Sequence, residues 1–273
     1  MRLVWSIFFA VMGAGPVGAV LPWAVCYSDR PRPEEFSDFR LIVLDSDIHP
    51  PLAPLAMRGK ELLGYLSLGE IDRHRAYFDS ARAEGILLDE NPNWPGSFYV
   101  DFRNENWQRR VMEQLVPAIL HAGFNGVFLD TLDDAAALEQ ADPTRYRGMA
   151  KAAAGLVRSL RTKFPGIRIM VNRGYELLPE IAPSIDVLLG ESVYTTYDTA
   201  HKGYVRVVEA QYKEQVRLLK QALNRNPRLT VCSLDYWDPA DRKGIRRIYQ
   251  IERANGFAPY VATRELDRVV RAP

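Results

Sequence analysis

Short apolar runs that end at polar or acidic residues recur along the chain. The clearest is Val127 to Leu129, which is entered through Gly126 and ends at Asp130. A run of this length predicts a buried strand, and such strands are typical of the parallel sheets of α/β proteins. Eight runs of this kind are predicted as strands: residues 23–27, 41–44, 62–66, 127–129, 167–171, 186–190, 229–233 and 258–262.

Apolar residues at helical spacing lie between several of these runs. One predicted helix follows Asn104, a favourable N-cap, and Pro117 is expected to kink it. Further helices are predicted to start at Asp142-Pro143, to cover residues 204–223, and to run from about 239 to 254. Short strands alternating with helices favour a single (β/α)8 TIM barrel, of the α/β class, over a doubly wound sheet.

The longest interval between predicted strands, residues 71–101, is rich in aromatic residues. A connection this long is uncommon unless it has a function. It is predicted to be either a lid or cleft wall, or an extra hairpin packed on the barrel.

The N-terminus has the pattern of an export signal. Arg2 precedes an apolar stretch over residues 3–14, and small residues at 17–19 offer a cleavage site. Residues 1–19 are therefore interpreted as a signal peptide, with an uncleaved membrane anchor as the alternative, and residues 20–273 as one barrel domain. The protein is therefore expected to be secreted or periplasmic, without stable insertion in a membrane. The GxGxxG pattern at residues 13–18 lies within this segment and is not interpreted as a dinucleotide loop.

Charge and residue spacing exclude several kinds of partner. Removal of Arg2 with the signal leaves 34 of the 35 basic residues against 34 acidic ones, so neither nucleic acid nor an anionic membrane is expected as a partner. The four histidines show no metal-ligand spacing, and no glycine-rich phosphate loop follows the last two strands. No metal or cofactor is expected, and the protein is expected to be a monomer.

The two cysteines, Cys26 and Cys232, fall on the first and seventh predicted strands. The eighth strand would separate them in a closed barrel by two strand spacings, about 9.6 Å, which exceeds the usual disulfide separation. They are expected to be buried free thiols.

Asp130 and Glu191 follow the fourth and sixth predicted strands. Alternate strands of a barrel contribute side chains to one layer, so these two carboxylates are expected to be neighbours at the mouth. Two facing carboxylates suit glycoside hydrolysis, and their separation predicts the stereochemical outcome: about 5–5.5 Å for retention and about 6.5–9.5 Å for inversion.

Other polar residues and tyrosines at or near the predicted strand ends are candidate substrate-binding residues. Aromatic rings can stack on sugars, and carboxylates can bind hydroxyl or ammonium groups. The alternatives are structural caps and barrel packing. The candidates are Tyr27, Asp45, Tyr65, Glu70, Asn172, Tyr194, Asp235 and Tyr236.

Four segments resemble the motifs of the endo-α-1,4-polygalactosaminidases, glycoside hydrolase family 114, and of the related hydrolase domain that acts on Pel polysaccharide. They are GYLSLGE at 64–70, SFYVDFRNENWQ at 97–108, GFNGVFLDTLD at 123–133 and GESVY at 190–194. The resemblance covers nearly the whole mature chain. It implies a secreted endo-acting hydrolase of galactosamine-rich polymers on a (β/α)8 barrel.

The resemblance also implies roles for individual residues. The family's catalytic carboxylates fall on Asp130 and Glu191, and analogy with retaining barrel glycosidases makes Asp130 the nucleophile and Glu191 the acid/base. Asp133 matches a further family acid and is expected to support the site. Two alternatives remain: a hydrolase of another α-galactosyl-type glycan, and a non-catalytic glycan-binding barrel in exopolysaccharide export.

Overall fold

The computed structural model describes residues 21–273; the predicted signal peptide lies outside the described residues. Within this range the strands are β1 (Trp23–Cys26), β2 (Leu41–Asp45), β3 (Glu61–Ser67), β4 (Glu70–Asp72), β5 (Leu87–Glu90), β6 (Ser97–Val100), β7 (Gly126–Asp130), β8 (Arg168–Asn172), β9 (Val187–Glu191), β10 (Thr195–Asp198), β11 (Gly203–Arg206), β12 (Thr230–Tyr236) and β13 (Ala258–Ala262). The α-helices are α1 (Leu52–Ala56), α2 (Phe78–Ala83), α3 (Glu105–Arg110), α4 (Val116–Ala122), α5 (Asp133–Ala141), α6 (Met149–Lys163), α7 (Leu178–Ile181), α8 (Glu209–Arg225) and α9 (Arg242–Ala254).

Eight parallel strands form the barrel, in the order β1-β2-β3-β7-β8-β9-β12-β13. The first and last strands lie side by side, and the indole of Trp23 donates a hydrogen bond to the Ala258 carbonyl between them, at 2.8 Å. The barrel strands are apolar and almost completely buried because helices cover their outer faces. The predicted (β/α)8 TIM barrel is confirmed.

Gly126 allows β7 to fit closely beside β8 at the start of the central strand. A Cβ atom at this position would lie 1.9 Å from the Arg168 carbonyl oxygen. Any side chain would therefore separate the two strands, and β7 carries Asp130 at its other end.

The insertion at residues 71–101 is mostly a small antiparallel sheet. Strands β4, β6 and β5 pair in that order, and α2 lies in the connection between β4 and β5. This arrangement is larger than the single hairpin considered as one alternative. A second antiparallel pair, β10 and β11, follows β9.

Three predicted helix starts are wrong. Asp142 accepts hydrogen bonds from the backbone of the next turn, and α6 begins at Met149, after Gly148. Tyr204 fits the helical spacing but lies on β11, so α8 begins later, at Glu209. The side chain of Asp241 accepts from the Gly244 N–H and fixes the start of α9 at Arg242.

Asn104 caps α3 as predicted, accepting from the N–H groups of Asn106 and Trp107. A kink is predicted at Pro117, and the structure has a π-helical segment, Val111–Leu115, just before it, between α3 and α4. Pro117 lacks an N–H and crowds the preceding turn, and the wider π turn accommodates it.

Cys26 and Cys232 are buried and unbonded, which confirms the prediction of free thiols. Within residues 21–273, no helix has the length and apolar character needed to cross a membrane.

Candidate active site

Three neighbouring strands bring the two candidate catalytic residues together at the carboxyl end of the barrel. Asp130 ends β7, Asn172 ends β8 and Glu191 ends β9. The Nδ2 atom of Asn172 donates to Oδ1 of Asp130 at 3.0 Å and to Oε2 of Glu191 at 2.7 Å. Because both oxygens contact one nitrogen, they can lie no more than 5.7 Å apart.

A tyrosine hydroxyl orients each carboxylate from the opposite side. Tyr65 donates to Oδ2 of Asp130 at 3.0 Å, and Tyr236 donates to Oε1 of Glu191 at 2.6 Å. The ring of Tyr27 packs edge-on against Tyr65, with 5.0 Å between ring centroids. Four of the residues predicted to bind substrate, these tyrosines and Asn172, therefore surround the carboxylate pair.

The backbone after each of the three strand ends adopts a left-handed conformation without glycine. The φ angles are 61° at Thr131, 51° at Arg173 and 53° at Ser192. Such strained positions cluster at functional sites. At Thr131 this geometry lets the backbone N–H donate to Oδ1 of Asp130 at 2.9 Å.

Thr131 also connects the strand end to β3, a role that the sequence interpretation missed. Its hydroxyl lies 2.8 Å from the Ser67 hydroxyl and accepts from the Gly69 N–H. A Cβ atom at Gly69 would lie 2.1 Å from the Thr131 carbonyl oxygen, so only glycine fits there. Residues 67–69 (SLG) therefore hold Thr131, and with it the strand end that carries Asp130, in place.

Burial raises the pKa of Asp130 from 3.8 to about 6, and the nearby Glu191 carboxylate adds to this effect. The hydrogen bonds from Asn172, Thr131 and Tyr65 act in the opposite direction and favour the ionised form. Asp130 is therefore ionised above about pH 6 and held in one orientation by three donors.

Glu70 is a structural acid, and its prediction as a substrate-binding residue is corrected. It is buried, and its two oxygens accept from Nδ2 of Asn91 at 2.6 Å and from the Ser97 hydroxyl at 2.5 Å. Glu70 begins β4, Asn91 follows β5 and Ser97 begins β6, so these hydrogen bonds hold the small sheet together. Burial, followed by the charge of Glu70, raises the pKa of the adjacent Asp134 and favours its protonated form.

Asp45 lies at the mouth, and its carboxylate accepts three hydrogen bonds from protein groups. One oxygen accepts from the N–H groups of Asp47 and Ile48, and the other binds Arg75 at 2.9 Å. Asp133 is partly exposed, 4.0 Å from Arg173, and the structure records no direct contact between its side chain and the carboxylate pair.

Tyr194 and Asp235 lie outside the mouth, which corrects two further predictions. Strand β12 continues to Tyr236, beyond the predicted end, so Asp235 and Tyr236 point to opposite faces. Tyr236 faces Glu191, whereas Asp235 is fully buried and accepts from the backbone of Tyr194 and Thr195 at 2.7 Å. The Tyr194 ring packs with residues of α9.

The described residues contain no group of three or more histidine, cysteine, aspartate or glutamate side chains placed to hold a metal ion. At the mouth, the two carboxylates and their hydrogen-bond donors are placed for acid–base and nucleophilic chemistry. One carboxylate can attack or stabilise a cationic anomeric carbon while the other transfers a proton.

A (β/α)8 barrel with two such carboxylates at its mouth is the arrangement of a glycoside hydrolase. The chain belongs to the glycoside-hydrolase family GH114, whose model matches residues 14–273.

The chain is similar to two solved structures and to a protein of Deinococcus radiodurans. The glycoside hydrolase domain of PelA from Pseudomonas aeruginosa is 29% identical, with a TM-score of 0.78 over 95% of this chain and 100% of that domain. Ega3 from Aspergillus fumigatus, solved in complex with galactosamine, shares the fold at 15% identity, with a TM-score of 0.68 over 97% of this chain and 100% of that one. An uncharacterised protein of Deinococcus radiodurans is 29% identical over 248 residues, 86% of this chain and 76% of that protein.

Proposed function

We propose that this glycoside hydrolase cleaves α-1,4-linked, galactosamine-rich polysaccharide internally and with retention of configuration. The observation that carries the mechanistic part is the Asn172 bridge, which limits the two contacted carboxylate oxygens to 5.7 Å. Oxygens this close are compatible with the separation of about 5–5.5 Å between the two carboxyl groups that retention needs.

The proposed roles follow from the hydrogen bonds. Asp130 receives three donors, two of them N–H groups that cannot accept a proton in return, which suits an ionised nucleophile. Oε1 of Glu191 contacts the Tyr236 hydroxyl, which can donate or accept and so suits a group that changes its protonation state.

In the first step, an Asp130 oxygen bonds to the anomeric carbon while Glu191 gives its proton to the departing glycosidic oxygen. In the second step, Glu191 takes a proton from water, and the water oxygen displaces Asp130 from the anomeric carbon. Asn172 contacts both residues and keeps them at a constant separation through both steps.

The substrate class is inferred from the family resemblance, and the 29% identical PelA domain supports the assignment as a glycoside hydrolase. Galactosamine is bound by Ega3, whose identity of 15% supports only a common fold. An endo-acting hydrolase of another α-galactosyl-type glycan is the competing specificity.

The proposal is tested by measuring reducing ends released from partly deacetylated α-1,4-polygalactosamine and from neutral α-galactosyl polymers. We expect activity on the amino-sugar polymer, with NMR showing the α anomer as the first product. Initial release of the β anomer contradicts retention. Activity confined to the neutral polymers contradicts the substrate class.

We also propose that the chain is exported and cleaved after Ala19. Expression in a bacterial host with a Sec pathway should give a mature protein whose N-terminal sequence begins at Val20, recovered from the periplasm or medium. A control that replaces Leu3, Val4 and Ile7 by aspartate should keep the N-terminus intact and the protein inside the cell. An uncleaved wild-type chain in the membrane fraction would instead support the anchor.

A further inference from the structure

Asp134 of α5 places a buried acidic oxygen against the segment that follows β3. Its Oδ2 atom has no hydrogen-bond partner among the described residues. A Cβ atom at Gly69 would lie 2.9 Å from this oxygen, so the carboxyl group packs directly on the Gly69 backbone. The side chain also reaches the carboxyl group of Glu70, the next residue, which begins β4.

Two carboxyl groups in contact and away from water cannot both ionise at low cost, because their repulsion raises one of the two pKa values. Glu70 accepts hydrogen bonds from Nδ2 of Asn91 and from the Ser97 hydroxyl, whereas Oδ2 of Asp134 receives none. When the pair holds one proton, that proton therefore resides on Asp134. Each Glu70 oxygen has a second lone pair that can accept it.

The groups around Asp134 favour its protonated form. Burial raises the pKa of Asp134 most, followed by the charges of Glu70 and Asp133, the hydrogen bond with Glu70, and the charge of Asp130. Burial, followed by the charge of Asp134, raises the pKa of Tyr99 on β6, so that residue faces Asp134 as well. These neighbours on β4, β6, β7 and α5 are all acidic, and none of them stabilises a carboxylate at this position.

The contact lies beside the hydrogen bonds that orient Asp130. Gly69 donates its N–H to the Thr131 hydroxyl at 2.8 Å, and Thr131 donates its own N–H to Oδ1 of Asp130 at 2.9 Å. An ionised Asp134 would repel Glu70 and place an unpaired charge against Gly69. That repulsion would separate β4 from the turn before α5, and Thr131 lies in this turn.

We infer that protonated Asp134 donates a hydrogen bond to Glu70 and thereby holds the strand end that carries Asp130 in its catalytic position. Asp134 is then a positioning residue, and this inference rests on the proposed function. Loss of its proton breaks the contact, so activity has an alkaline limit that is separate from proton transfer by Glu191.

The test measures kcat/KM against pH for a galactosamine oligomer that carries a phenolic leaving group. Such a group departs without a proton, so Glu191 is not needed as an acid. The wild type should lose about tenfold per pH unit above its alkaline limb. Asp134→Asn keeps a donor toward Glu70 and has no proton to lose, so it should move the limb upward by at least about one pH unit. Asp134→Ala removes the donor and should lower kcat/KM by about tenfold at neutral pH.

Asp235→Asn is the matched control. Burial also raises the pKa of Asp235, but this residue lies outside the mouth. Its substitution should leave the alkaline limb in place, and circular dichroism at each pH checks that every variant is folded. An unmoved limb in Asp134→Asn, or an equal movement in Asp235→Asn, would overturn the positioning role.

Infrared difference spectra test the proton without any substrate. The difference between the wild type and Asp134→Asn at pH 7 should contain the C=O band of a protonated carboxyl group, replaced by carboxylate bands at high pH. Glu70→Gln removes the neighbouring charge, so in that background the band should disappear at a lower pH. A folded wild type without the band at pH 7 overturns the inference.

The two proposals fail in different ways. A wild type that hydrolyses no galactosamine substrate overturns the proposed substrate class and the positioning role with it, whereas the infrared band still decides whether Asp134 holds a proton. A band that is present, together with an alkaline limb that Asp134→Asn leaves unmoved, overturns only the positioning role.

Discussion

Asp130→Asn and Glu191→Gln should each reduce kcat on the amino-sugar polymer by several orders of magnitude. Loss of a positioned acid/base costs about 10²–10⁴-fold, and loss of the nucleophile removes the covalent route entirely. Both substitutions keep size and hydrogen-bonding capacity close to the original, so the site should remain assembled. Reducing-end assays at saturating substrate measure the loss directly.

Azide can then distinguish the two roles, with an α-glycoside that carries a good leaving group as substrate. In Asp130→Ala, azide can enter the space of the missing carboxylate and attack the anomeric carbon directly, giving a β-glycosyl azide. In Glu191→Ala, azide should attack the glycosyl–Asp130 intermediate and give the α product. The opposite pattern of products would reverse the proposed roles.

Asp235→Asn is the control for the kcat measurements. Asp235 is also an acidic residue near the end of a barrel strand, but it is buried outside the mouth. Its kcat should match that of the wild type at neutral pH. Full activity in either Asp130→Asn or Glu191→Gln would remove that residue from the proposed mechanism.

The barrel could be predicted because its strands are apolar on both faces and end at polar residues. This pattern placed Asp130, Asn172 and Glu191 at the ends of β7, β8 and β9, where the structure has them. The hairpin β10–β11 was missed because Tyr204, Val208 and Tyr212 also fit a helical period, and a short strand pair has no stronger signal.

The misplaced site residues have identifiable causes. Asp235 and Tyr236 are adjacent on one strand and cannot both face the cleft, so strand alternation alone excludes one of them. The burial of Glu70 depends on Asn91 and Ser97, which the fold brings to it from 21 and 27 residues away. Contacts between the strands of such an insertion depend on tertiary structure and leave no periodic pattern in the sequence.

The buried acid pair behind β12 should make the fold less stable as pH rises. Burial raises the pKa of Asp235 from 3.8 to about 7, and burial followed by the charge of Asp235 raises the pKa of Glu252 from 4.5 to about 8. A hydrogen bond from Asn255 and then the charge of Lys220 lower the pKa of Glu252 only in part. Neither Oδ2 of Asp235 nor Oε1 of Glu252 has a hydrogen-bond partner among the described residues.

The direction in which the free energy of unfolding changes with pH follows from proton binding by the folded and unfolded chains. Well below the unfolded-chain pKa values of 3.8 and 4.5, both carboxyl groups are protonated in the folded and unfolded chains, and they do not favour unfolding. Between about pH 4 and 8 the unfolded chain loses these protons first, so the free energy of unfolding falls until the folded pair has also ionised. Each unit of pKa shift corresponds to about 1.4 kcal/mol, so the pair should cost several kcal/mol between pH 5 and pH 9.

Urea unfolding at pH 5, 7 and 9 can isolate this contribution. The double variant Asp235→Asn/Glu252→Gln imitates the protonated pair and should be more stable than the wild type at pH 9. The slope of its free energy of unfolding against pH should be smaller. Part of the slope should remain, because the pKa values of Asp130 and Asp134 are also raised. Glu214→Gln, an exposed substitution on α8, should leave the slope nearly unchanged. Equal slopes in the wild type and the double variant would show that the buried pair does not control stability, and would point to the mouth carboxylates as the source of any pH dependence.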